Sequence, residues 1–137
     1  MVPGHCRFTL DLRAPNDDKR DLALADIRAE MVAICTRRGV ELQQTETLRA
    51  SAAPCSDALK AYWKRAVERL GVPVFELPSG AGHDAMKMAQ AVPQAMLFVR
   101  CGNGGISHNP LETMTSDDAD LAVAAFIDVL QQIASDS

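Results

Sequence analysis

The first clear pattern along the chain is an alternation. Phe8, Leu10 and Leu12 fall on one side of an extended backbone, and Arg7, Thr9, Asp11 and Arg13 on the other, which predicts a half-buried strand over 7–13. Pro15-Asn16-Asp17-Asp18 then supplies turn and cap chemistry, with two acids where a helix N-terminus favours negative charge. Apolar residues follow at helical spacing: Leu22, Leu24, Ala25, Ile27, Met31, Val32, Ile34 and Cys35. Arg37-Arg38 sit in the last turn and Gly39 follows as a C-terminal cap. Alternation returns in a more polar form from Val40 to Leu48, giving a second, more exposed strand. The first third reads β-α-β.

Ala50-Ser51-Ala52-Ala53-Pro54 is a small-residue hinge and the best boundary, separating residues 1–52 from 53–137. Beyond it, Ser56-Asp57 opens a second helix with Leu59, Tyr62, Trp63, Ala66, Val67 and Leu70 on one face, closed by Gly71. Residues 72–77 read as a short strand, and Pro78-Ser79-Gly80-Ala81-Gly82 as a tight loop feeding a short helix over His83–Ala89. The continuous apolar run Ala95-Met96-Leu97-Phe98-Val99 has the mark of a strand buried on both faces. A glycine-rich loop spans 101–110. Ser116-Asp117-Asp118 then opens a terminal helix whose apolar face is Leu121, Val123, Ala124, Ile127, Leu130 and Ile133. The second part therefore alternates α-β-α-β-α, so the expected fold class is α/β with a parallel or mixed sheet. Neither part carries enough strands to close a sheet. The chain reads like the back end of something larger.

Composition narrows the function classes. Of 137 residues, 14 are Lys or Arg and 18 Asp or Glu, a net charge of −4, and aromatics make up 4%. A nucleic-acid binder needs a basic stripe and stacking platforms, so nucleic acid is not an expected partner. No apolar run approaches the length that spans a bilayer, and the first residues lack the layout of a secretory signal, so a soluble, cytoplasmic chain is expected. Cys6, Cys35, Cys55 and Cys101 form no CxxC or Cys/His cluster and read as small hydrophobes or surface thiols.

Two glycine-bounded loops each present a histidine after a predicted strand, where open α/β sheets bind ligands. In Ser79-Gly80-Ala81-Gly82-His83-Asp84 the glycines let backbone approach a ligand, and Asp84 is placed either to fix the tautomer of His83 or to cap a helix. In Asn103-Gly104-Gly105-Ile106-Ser107-His108-Asn109-Pro110, Gly104 and Gly105 suit an amide nest for an anion, and His108 suits a metal. The plain alternative for each histidine is a polar loop residue bonded to backbone. Asp11 and Arg13 are the third candidates, Arg13 because a planar guanidinium grips a carboxylate bidentately. Their plain alternative is a solvated strand face.

At these residues the sequence resembles the hydantoinase/carbamoylase amidases of the M20 metallopeptidase superfamily, which include N-carbamoyl-L-amino-acid hydrolases, allantoate amidohydrolases and β-ureidopropionases. Residues 79–85, 95–99 and 104–112 resemble the C-terminal part of that family, and Val2-Pro3-Gly4 with residues 8–13 a stretch further upstream. The resemblance implies half of a ferredoxin-like lid over 1–52 and the last part of a catalytic domain over 53–137. His108 would be a ligand of a zinc or manganese pair, and His83 would meet the substrate near the scissile carbonyl. Arg13, Gly104 and Gly105 would bind the carboxylate of a ureido or carbamoyl substrate. The lid sheet would form a homodimer. Glu112 would be structural, orienting His108.

The family's other metal ligands and its general base have no counterpart among the three histidines here. The expectation is a truncated amidohydrolase, inactive alone and holding no tight metal. Two competitors from other classes are a non-catalytic module dimerising through its sheet edge, and a small α/β protein binding an anion at Gly104-Gly105.

Overall fold

The computed structural model describes residues 3–136; Met1, Val2 and Ser137, and with Val2 one residue of the upstream resemblance, lie outside them. Its regular elements are four helices, α1 (Asp17–Arg38), α2 (Asp57–Arg69), α3 (Ala85–Met88) and α4 (Ser116–Ser135), plus a 3₁₀ turn at Asn103–Gly105. The chain divides into two units, 3–54 with 78–82, and 55–77 with 83–136.

The helices form where local signals place them. The Asn16 side chain accepts from the Lys19 amide at 2.9 Å and starts α1, with Asp17 and Asp18 in the first turn. Gly39 ends it in the left-handed region at φ 65°. There its N–H donates to Thr36 O and the Val40 N–H to Cys35 O, the paired bonds of a glycine-terminated helix. Gly71, at φ 71°, ends α2 the same way through Gly71 N–H to Glu68 O and Val72 N–H to Val67 O. The cap of α4 is Thr115 rather than Ser116: its Oγ1 accepts from the Asp118 amide at 3.1 Å and donates to Asp118 Oδ2 at 2.6 Å.

The expected α/β fold, with its half ferredoxin-like lid and α-β-α-β-α tail, is not what the chain adopts. No strand occurs among the described residues. A strand is a relation between two backbones, whose N–H and C=O groups must meet across about 4.8 Å. Segments 7–13 and 40–48 exchange no backbone hydrogen bonds with each other, and neither do 72–77 and 95–99. Their apolar positions stay largely uncovered: Phe8, Leu10, Val40, Phe75, Leu77 and Phe98 are all exposed. The sheet edge through which a homodimer was expected is therefore absent as well, for the dimeric enzyme and for the dimerising module alike.

In the first unit α1 buries no residue. Charge and backbone bonds tie it to the segment that follows it. Asp17 accepts from Arg20 at 2.6 Å and from the Ala52 amide at 2.8 Å, and Arg20 also donates to Ala50 O. Arg49 bridges Asp21 and Glu46, and Arg28 adds a second partner to Glu46. The two arginines hold the Glu46 carboxyl at about 2, Arg49 contributing most.

The second unit has a small core made by α2 against α4: Ala66, Ala125 and Val129, flanked by Tyr62, Trp63, Leu70, Leu97 and Ile133. Trp63 and Phe126 meet with ring centroids 5.7 Å apart. A polar clasp runs beside it. Arg65 donates to Gln132 Oε1 at 2.7 Å, Gln132 donates to Tyr62 O and Asp128, and Tyr62 Oη donates to Asp136 at 2.8 Å. Asp118, nearly buried, takes a forked bond from Arg100; that guanidinium, then the Thr115 hydroxyl, hold its carboxyl below the usual carboxylate range. Among the described residues no helix is long and apolar enough to cross a membrane.

Candidate functional site

Arg13 lies in the first unit, in the extended segment before α1. Its Nε and Nη2 donate to the two oxygens of Asp11 at 2.9 and 2.6 Å, and its Nη1 donates to the Gly80 carbonyl at 2.5 Å. Gly80 belongs to the loop 78–82, which joins this unit although 67 residues separate it from Arg13. The ion pair keeps the Asp11 carboxyl below and the Arg13 guanidinium above their ordinary values, the hydrogen bonds between them being the main cause. Both side chains are more than half exposed. The sequence pairs Asp11 with Arg13 by alternation alone; nothing in it signals the Gly80 contact.

His83 and His108 lie in the second unit, and both are exposed. The His83 carbonyl accepts from the Met86 amide and so starts the turn that leads into α3. Asp84 precedes α3 but makes no side-chain cap bond to it, which removes one of the two roles its position offers.

His108 sits in a loop closed on itself. The Gly102 amide donates to Thr113 O at 2.8 Å at its base, where the approach is so close that a Cβ on Gly102 would stand 2.4 Å from Thr113 Oγ1. Inside, the Asn103 side chain donates to Leu111 O, and the Leu111 and Glu112 amides donate to Asn109. His108 adopts φ 54°, an uncommon backbone state for a residue with a Cβ. The Glu112 carboxylate accepts from its main-chain N–H at 2.9 Å. Glu112 thus grips the histidine by the backbone, not by the ring. This contact holds the His108 main chain in the loop.

Gly104 and Gly105 both take left-handed backbone, at φ 70° and 74°. Gly105 donates its N–H back to Gly102 O at 2.9 Å, so of the two amides only that of Gly104 is uncommitted to backbone among the described residues. Two adjacent donors aimed outward, the arrangement expected for an anion nest, are reduced to one.

Metal chemistry needs converging donors. No group of three or more His, Cys, Asp or Glu side chains among the described residues is arranged to hold an ion. His108 alone does not fit a metal pair. The four cysteines are free thiols, Cys6 exposed and the other three half-buried.

A model of peptidase family M20/M25/M40 matches residues 6–132, and the chain belongs to that family. It is 35% identical over its whole length to a probable allantoate deiminase of Oryza sativa subsp. japonica, covering 30% of that protein. It is 33% identical over 98% of its length to an N-carbamoyl-L-amino acid amidohydrolase of Geobacillus stearothermophilus, covering 32% of it. An allantoate deiminase of Arabidopsis thaliana is 39% identical over 96% of the chain and 26% of its own length. The chain thus spans about a third of the length of these relatives or less.

Proposed function

We propose that this chain carries part of the active site of an amidohydrolase that cleaves linear C–N bonds in N-carbamoyl amino acids or in ureido compounds such as allantoate. In this reading Arg13 is a carboxylate-binding residue, and so is the Gly104-Gly105 turn, through the Gly104 amide that no backbone acceptor takes among the described residues. His83 meets the substrate at the scissile carbonyl. His108 is one ligand of a divalent metal pair, zinc or manganese. Such a pair, completed by ligands beyond His108, would supply Lewis-acid activation of the nucleophile and of the carbonyl. What these residues themselves do is bind and orient. Asp11 and Glu112 hold the Arg13 side chain and the His108 backbone, and neither group has to reorganise on binding.

The observation that carries this reading is the match to M20/M25/M40 over 6–132, together with relatives named for allantoate and N-carbamoyl-L-amino acids. The further donors that such a pair requires are not grouped with His108 among the described residues, and our expectation is that the chain by itself holds no tight pair and turns no substrate over. The test is metal analysis of the purified chain after incubation with zinc or manganese, with an assay on N-carbamoyl-L-amino acids and allantoate. The expected result is no stoichiometric metal and no turnover. Two equivalents of retained metal, with or without hydrolysis, would overturn the assignment of His108 as one ligand among several that this chain lacks.

A further inference from the structure

We propose that Asp11 is a positioning residue that makes Arg13 an end-on receptor for a carboxylate, with the Gly80 carbonyl as the second fixed point. The inference rests on the reading that Arg13 takes the substrate carboxylate. It adds how that grip is built and which residue builds it.

A guanidinium has five N–H donors in one plane. Asp11 takes one side of the fork, through Nε at 2.9 Å and Nη2 at 2.6 Å. Gly80 takes a hydrogen of Nη1 through its carbonyl. A Cβ built on Gly80 would stand 4.0 Å from Arg13 Cδ, which brings the Gly80 backbone near the Cδ flank, and we assign its carbonyl to the Nη1 hydrogen on that flank. Three of five donors are then engaged. The two left over, one on Nη1 and one on Nη2, lie side by side on the outer edge of the group. Two parallel N–H donors are the pattern that matches a carboxylate. The Arg13 side chain is 58% exposed, and its described hydrogen bonds go to Asp11 and Gly80 alone.

A second carboxylate beside Asp11 meets some repulsion. At an exposed site that repulsion is weak and screened by salt. An unanchored arginine, by contrast, has several rotatable bonds to immobilise on binding, and this loss opposes affinity directly. Asp11 removes it in advance. Asp11 therefore aids a carboxylate ligand rather than competing with it, and the two roles predict opposite signs on substitution.

The experiment follows the Arg13 Nε–H resonance of the full chain during titration with N-carbamoyl-L-alanine, with N-carbamoyl-L-alaninamide as the carboxylate-free control. In the wild-type chain the resonance is anchored before ligand is added, and it shifts with the acid but not with the amide. Asp11→Asn loses the anchored resonance and raises the dissociation constant about tenfold; Asp11→Glu, which keeps the charged anchor, restores most of the affinity. Equal or tighter binding by Asp11→Asn overturns the positioning role while leaving Arg13 as the carboxylate residue. A wild-type chain whose anchored Nε–H ignores the acid overturns the carboxylate reading of Arg13 itself, and the receptor with it. Asp11 is exposed, so its substitution disturbs no packing. If Asp11→Asn nevertheless fails to fold, the wild-type exchange rate of the Nε–H decides: slow exchange supports the anchor, and exchange as fast as at a free arginine overturns it.

Discussion

Val129→Ala tests whether the contact between α2 and α4 is the core that holds the second unit together. Val129 is 5% exposed and lies against Ala66 and Ala125, which are 0% and 2% exposed. The substitution removes two methyl carbons, each worth about 0.8 kcal/mol when buried, for a loss of about 1.6 kcal/mol. Space left between the helices adds to that loss unless they close. Alanine's better helix propensity returns up to about 0.6 kcal/mol. The net expected cost is about 1.5 kcal/mol. Val123→Ala makes the same chemical change on the same helix at a residue 58% exposed, so it isolates the propensity gain and is expected to be neutral or slightly stabilising. Trp63, the single tryptophan of the chain, packs beside this core and reports its loss through fluorescence in a urea titration. The Val129→Ala midpoint should fall by roughly 0.5–1.5 M at unchanged slope. Equal midpoints for the two variants would refute the reasoning, since burial would then not separate them.

The acid behaviour of the first unit follows from Glu46. Its folded value of about 2 lies below the ordinary 4.5, so its contribution is complete above about 4.5 and lost as pH falls through about 2. A side-chain carboxyl titration by NMR should put its midpoint near 2, and Glu46→Gln should reduce the acid-dependent loss in that window, with Asp21 on the same Arg49 retaining its share; a midpoint at the ordinary value would dissolve the Arg28–Glu46–Arg49 network. In the closed loop, Glu112→Ala should speed hydrogen exchange at the His108 amide by about fivefold, because its one acceptor is removed. Unchanged exchange there would show that the loop holds His108 without Glu112.

What was legible in the sequence was local. The Asn16 cap and Gly39 fix the ends of α1 through bonds to residues three to five positions away, so a reader of the chain finds them. The capping pair Thr115 and Asp118 is equally local, at a spacing of three, with Ser116 beside it offering the same hydroxyl chemistry. The histidine loops were visible from their glycines. Their internal wiring was only partly so: that Gly105 turns its amide back to Gly102 follows from left-handed backbone at the two central residues of the turn, Asn103 at φ 48° and Gly104 at φ 70°, which Asn-Gly permits but does not dictate. The join of 78–82 to the first unit, and with it the Gly80 contact, left no mark in the pattern, because a main-chain carbonyl is the same in every residue.

The strands failed for a different reason. A helix satisfies its backbone within itself, so periodicity and caps are sufficient information. An alternating segment states only that one face prefers burial; which backbone will pair with it is settled elsewhere. Phe8 and Leu10 keep the alternation and stay exposed, whereas Leu97, in the run read as doubly buried, packs on the α2–α4 core. Hydrophobic pattern thus marks surface that favours cover, while ladder formation depends on a partner that the pattern cannot name. The same asymmetry runs through the candidate site. Arg13 is held by Asp11 two residues away, a local relation that survives whether or not a sheet forms, and His108 by Glu112 four residues away. The hold of Asp11 on Arg13 and of Glu112 on His108 is short-range and needs no sheet, of which none occurs among the described residues, while the Gly80 contact of Arg13, 67 residues away, is the long-range exception.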